Sequence, residues 1–107
     1  MHHFLTFQEI AERMRSPDAR IQSHLPYKNS NWLEGTTIGF SYFCGWFEVN
    51  IHDAKNMCWD EALKLLASSP DTELNNSDPD KYGNVRWFGG AWVGEHHVRV
   101  WYNPQAF

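Results

Sequence analysis

Thr37-Ile38-Gly39-Phe40-Ser41-Tyr42-Phe43-Cys44-Gly45-Trp46-Phe47-Glu48-Val49-Asn50-Ile51-His52 carries the pattern on which the fold turns. Its even positions Ile38, Phe40 and Tyr42 are apolar, and then the odd positions Phe47, Val49 and Ile51 take over. A single strand cannot change parity without a bulge, because its side chains alternate from face to face. A hairpin turning at Cys44-Gly45 accounts for the switch. It would pair Tyr42 with Phe47, Phe40 with Val49 and Ile38 with Ile51 on one face, leaving Ser41/Glu48, Gly39/Asn50 and Thr37/His52 on the other. Gly45 would supply the positive φ of the tight turn.

The segment from Val85 to Tyr102 reads as a second hairpin, with its turn around Gly94 to His97. Val93/Val98 and Ala91/Val100 would share one face. Trp92 opposite Arg99, and Trp101 opposite Gly90, would occupy the other and carry a Trp–Arg cation–π pair. Gly89-Gly90 marks a bulge or a place where another backbone approaches closely.

Before and between the hairpins the period changes to 3.6. Thr6-Phe7-Gln8-Glu9 is a capping box, and Phe7, Ile10, Ala11 and Met14 follow as one apolar stripe. Ser16-Pro17 reads as the cap and first residue of a second, short helix that buries Ile21 and Leu25 and ends at Pro26, with Tyr27 to Asn31 as a loop. Asp53 to Asn56 is turn-like. A third helix opens at Trp59 with Asp60 and Glu61 in its favourable first turn, buries Ala62, Leu65 and Leu66 beside Trp59, and stops at Pro70. Ser68 to Asn84 is a long polar loop of the kind that serves function or mobility. The expected fold is α+β: an antiparallel sheet of about four strands in two hairpins with three helices, in the order α-α-β-β-α-β-β, as a single domain over 1–107.

The composition suits that size. The 107 residues carry 13 Asp+Glu against 9 Lys+Arg, a net charge of −4. Hydrophobic residues make up 42% and charged ones 21%, values of an ordinary globular chain rather than a disordered or fibrous one. Two cysteines are too few for a disulfide scaffold, and nothing at the start resembles a signal peptide, so a cytoplasmic location with reduced thiols is expected. The longest apolar stretch, Phe40 to Val49, is interrupted by Ser41, Gly45 and Glu48 and is far too short to span a bilayer. An acidic balance argues against binding duplex DNA, which requires Lys and Arg to neutralise phosphates.

Candidate chemistry is sparse. The histidines His2, His3, His24, His52, His96 and His97 and the thiols Cys44 and Cys58 lack the spacing of a metal site, and adjacent strand histidines point to opposite faces. A Cys–His nucleophile pair is chemically available, for example Cys58 near a helix start with His52 close in sequence; a free Cys is more often packing material. Asp78-Pro79-Asp80-Lys81-Tyr82-Gly83 resembles a calcium loop but has Tyr82 at the fifth position and Gly89 at the twelfth, where ligands are required. No phosphate-binding loop or nucleophile elbow is present. No cofactor or metal is expected.

What stands out is the 16% aromatic content, with six Trp. So many rings exceed what one thin core absorbs, and Trp, Tyr and Arg are the residues that dominate binding hot spots. The expectation is therefore a small acidic interaction protein, in the style of inhibitors and immunity proteins of phages and mobile elements. It would grip a partner protein through Trp87, Trp92, Arg99, Trp101 and Tyr102, with Asp78 and Asp80 at the rim. Electrostatics favours a partner with a basic, nucleic-acid-handling surface. The alternatives are a small metal protein or enzyme using His52, His96, His97 and Cys58, and a single-stranded nucleic-acid binder that stacks bases on the sheet.

Overall fold

The computed structural model describes residues 5–29, 33–70, 72–76, 81–83 and 85–104. The elements run α1 (Phe7–Arg15), β1 (Ala19–Asn29), β2 (Leu33–Tyr42), β3 (Gly45–His52), α2 (Trp59–Ala67), β4 (Asn75–Asn76), β5 (Trp87–Val93) and β6 (His96–Asn103). The six strands form one antiparallel sheet in the order β1-β2-β3-β6-β5-β4. The α+β class and the antiparallel sheet hold, with six strands and two helices among the described residues in place of four and three. The Cα radius of gyration is 13.4 Å, as expected for a chain of this length.

The capping box forms as its residues dictate. Thr6 Oγ1 accepts from the Glu9 N–H at 3.2 Å, and the Thr6 N–H donates to Glu9 Oε1 at 2.9 Å. The stripe of Phe7, Ile10, Ala11 and Met14 is buried. It meets Ala62 and Leu66 of α2 and the inward residues of the sheet: Ile38 and Phe40 from β2, Phe47, Val49 and Ile51 from β3, Val98 and Val100 from β6. Both helices thus lie on one face of the sheet. Phe47 stacks between Phe40 at 4.8 Å and Tyr102 at 4.4 Å, with the Arg13 guanidinium 5.7 Å from its ring centre.

The expected second helix is instead strand β1. Ile21 and Leu25 are spaced like a helical stripe, yet they are 53% and 62% exposed and bury no common face. What decides the segment is the ladder of ten residue pairs to β2, broken by a register shift between Ile21 and Ser23. Pro26 fits because β1 is an edge strand, where a missing N–H on the outer side is tolerated. The expected loop at Tyr27 begins inside this strand, which continues to Asn29.

Both hairpins turn one residue earlier than the parity pattern suggests. In the first, Tyr42 pairs with Gly45, Phe40 with Phe47, Ile38 with Val49 and Thr36 with Ile51. The two-residue turn is Phe43-Cys44, and Phe43 (φ 54°), not Gly45, takes the left-handed conformation. In the second, Gly94 (φ 61°) and Glu95 turn, so that Val93 pairs with His96 and Ala91 with Val98. Trp92 therefore faces His97 rather than Arg99; Arg99 faces Gly90, and Trp101 faces Phe88. Each shift moves a partner by two residues, so every side chain keeps its expected face. Within the long polar segment, β4 pairs Asn75 with Phe88. A Cβ on Gly89 would stand 2.7 Å from Leu74 Cδ2 and 3.3 Å from the Glu73 carbonyl, so the glycine marks a close approach and not a bulge.

Candidate functional site

The alternation that sends Phe47, Val49, Val98 and Val100 to the helices sends a second set of residues the opposite way. Even positions of β3, odd positions of β6 and even positions of β5 share that outer face: Trp46, Glu48, Asn50 and His52; His97, Arg99 and Trp101; Phe88, Gly90 and Trp92. Among the described residues no helix covers it, since both pack against the other side.

The rings fall into two rows separated by a polar band. One row crosses the sheet near the β2–β3 turn as Trp46, Trp101 and Phe88, with Phe88 and Trp101 5.3 Å apart. The other crosses the far end as His52, His97 and Trp92. There Trp92 meets His97 edge-on at 5.2 Å, and His97 lies 5.2 Å from His52. Four residues along β5 and β6 separate the rows, about 13 Å at the usual rise of a strand. Trp92 is 67% and Phe88 39% exposed.

In the band between them, Thr37 Oγ1 donates to Asn50 Oδ1 at 2.7 Å and Asn50 Nδ2 donates to Glu48 Oε2 at 3.3 Å. This chain ties the Glu48 carboxylate to the side chain of Asn50. Arg99 stands across from Asn50. Burial, then the neighbouring His97 and Arg99, hold the His52 pKa below that of an ordinary histidine. A groove of about 340 Å³ opens between Trp46 and Trp101, lined also by Glu48, Arg86, Tyr102 and Asn103.

Of the residues expected to bind, Trp92, Arg99 and Trp101 come together on this face. Trp87 and Tyr102 belong to the helix side of the sheet, packed against the core, although Tyr102 also walls the groove. Asp78 and Asp80 lie outside the described residues. Trp46, Phe88 and Glu48 are the members the site expectation missed. Their parity with Trp92 and Trp101 was the available signal, once β3 and β6 are known to be neighbours.

The other chemistry is dispersed. His52 is on the outer face, whereas Cys58 caps α2 on the helix side and its Sγ donates to Glu61 Oε1 at 3.3 Å, so the sheet separates the two. His96 Nδ1 donates to the His52 carbonyl at 3.0 Å, and His24 Nε2 donates to the Met57 carbonyl at 2.7 Å. Among the described residues no three His, Cys, Asp or Glu side chains converge on a metal position, and no helix is long and apolar enough to cross a membrane. The chain matches no family model, no curated protein and no solved structure.

Proposed function

We propose that this chain is a protein-interaction module of the inhibitor or immunity type, which acts by occupying a partner protein with the outer face of its sheet. The observation that supports it most is Trp92: a large indole, two-thirds exposed, fixed on a rigid strand and flanked by His97 on a face that neither helix covers. Exposed aromatic side chains on a preformed surface contribute large area at little entropic cost, which is why they anchor interfaces. The sheet end beside Trp92 also carries exposed Glu34, Asp53 and Glu95, accompanied by Lys55, so a basic surface around the indole would be favoured. A partner that itself handles nucleic acid fits that charge, and blocking it is the inhibitory role we assign.

The test is native mass measurement of the chain recovered from an extract of its source cells, wild type beside Trp92→Ala. A defined stoichiometric complex that Trp92→Ala weakens by about thirty-fold or more, as for a hot-spot residue, is the expected result. A complex indifferent to Trp92, or wild-type protein recovered only by itself, overturns the reading.

A further inference from the structure

We propose that the polar band between the two aromatic rows binds a single flat strand of β-linked glucose, an uncharged cellulose-type oligosaccharide. The residues that β3, β6 and β5 turn to this face are rings, hydrogen-bonding side chains and one glycine, with no aliphatic side chain among them. A protein laid across the band would take Glu48 and Arg99 out of water, which is costly unless each meets a partner.

The band is a trough. On β5, Gly90 separates Phe88 from Trp92, and a Cβ added there would meet nothing nearer than 3.5 Å. The stem of Arg99 runs beside it, 3.6 Å from that position. Arg99 is exposed, and its guanidinium donates to no other group among the described residues. On β3, one hydrogen bond ties Glu48 Oε2 to Asn50 within the band and leaves Oε1 as an acceptor. One guanidinium against one carboxylate gives the band no net charge, the complement of an uncharged ligand.

A sugar hydroxyl both donates and accepts, so neighbouring hydroxyls serve a donor-only guanidinium, an acceptor-only carboxylate and an amide together. The C–H bonds on the faces of a glucose ring are polarised by its oxygens and suit the negative face of an indole. In a β-linked strand the ring substituents are equatorial, so both faces are flat C–H surfaces and the hydroxyls lie along the edges. Such a strand rests on Trp101 and Phe88 at one end and Trp92 at the other, about 13 Å apart, and turns hydroxyls to the band between. An α-linked strand coils and reaches one row only. Rings and trough are fixed by the strands that carry them, which spares the ligand the cost of ordering them. The site shares Trp92 with the partner reading but does not rest on it.

Isothermal titration calorimetry of the full chain with cellohexaose, cellobiose and maltohexaose tests it. Cellohexaose should bind saturably, and at least about ten-fold more tightly than maltohexaose or than cellobiose, which is too short to reach both rows. Trp101→Ala should weaken cellohexaose by about ten-fold or more. Arg99→Ala should do so by about the same factor, because the lost bonds have a charged donor. Gly90→Val fills the trough at a place where the added carbon has room, so it should abolish binding while the urea midpoint holds or rises. Far-UV circular dichroism of each variant confirms that it is folded. Absence of saturable cellohexaose binding, equal affinity for maltohexaose, or binding that survives Gly90→Val overturns the proposal. The protein complex is read separately from the extract, so either idea can fail without the other.

Discussion

The Trp46 indole lies across Gly39 on the neighbouring strand: a Cβ on that glycine would stand 2.5 Å from Trp46 Cζ2 and 2.6 Å from Ser23 Oγ. The missing side chain is what lets the ring lie low on the sheet and leave a groove beside it.

Gly39→Ala should therefore lift or turn the indole. Overpacking of this kind costs about 1–3 kcal/mol. The expected outcome is a lower denaturant midpoint with unchanged slope, and an altered tryptophan emission. A variant with wild-type stability and emission would show that the ring does not rest on this glycine.

Thr36 is fully buried, and its hydroxyl serves two backbone groups of the β3–α2 connection: it donates to the Ala54 carbonyl and accepts from the Met57 N–H at 2.9 Å. Thr36→Val keeps the shape and removes both bonds. Leaving buried polar groups unpaired costs about 1–3 kcal/mol each, so urea denaturation should show a loss of about 2 kcal/mol or more. Thr36→Ser, which retains the hydroxyl, should recover most of it.

Loss of the capping box is a smaller and more local effect. Thr6→Ala removes the acceptor for the Glu9 N–H and should cost about 1 kcal/mol. Hydrogen exchange should speed up chiefly at the first amides of α1, with the sheet amides following only as far as global stability falls.

His52 has a depressed pKa in the folded protein, first through burial and then through His97 and Arg99. The unfolded chain accepts a proton near pH 6.5 while the folded chain resists it. The stability that His52 permits is thus complete above pH 6.5 and declines as the pH falls through the lower folded value. His52→Asn should flatten the part of the stability profile below pH 6.5. A profile identical in shape to wild type would assign that pH dependence to other groups.

The residues show unevenly what the chain becomes. The capping box, the stripe of α1 and the parity switch between Tyr42 and Phe47 are local signals, and each appears in the structure because periodicity alone decides which face an apolar residue takes. Ile21 and Leu25 misled because four-residue spacing suits a helix as well as a strand edge, and only pairing with β2 distinguishes them. Phe43 misled because a bulky residue seldom adopts positive φ, yet the ladder of Phe40 with Phe47 and Ile38 with Val49 outweighs that local cost.

From the order of residues came the sheet's two-sidedness, the helix on Thr6 and the surplus of rings, because these depend on neighbours a few positions apart. Which strands lie side by side came from long-range hydrogen bonding. Only the pairing of β3 with β6, whose partners stand 47 to 57 residues apart in the chain, sets Trp46 and Glu48 beside Trp101 and lays His52 next to His97. Such proximity depends on the closed backbone ladder and on helices committed to one side, and no local pattern encodes it.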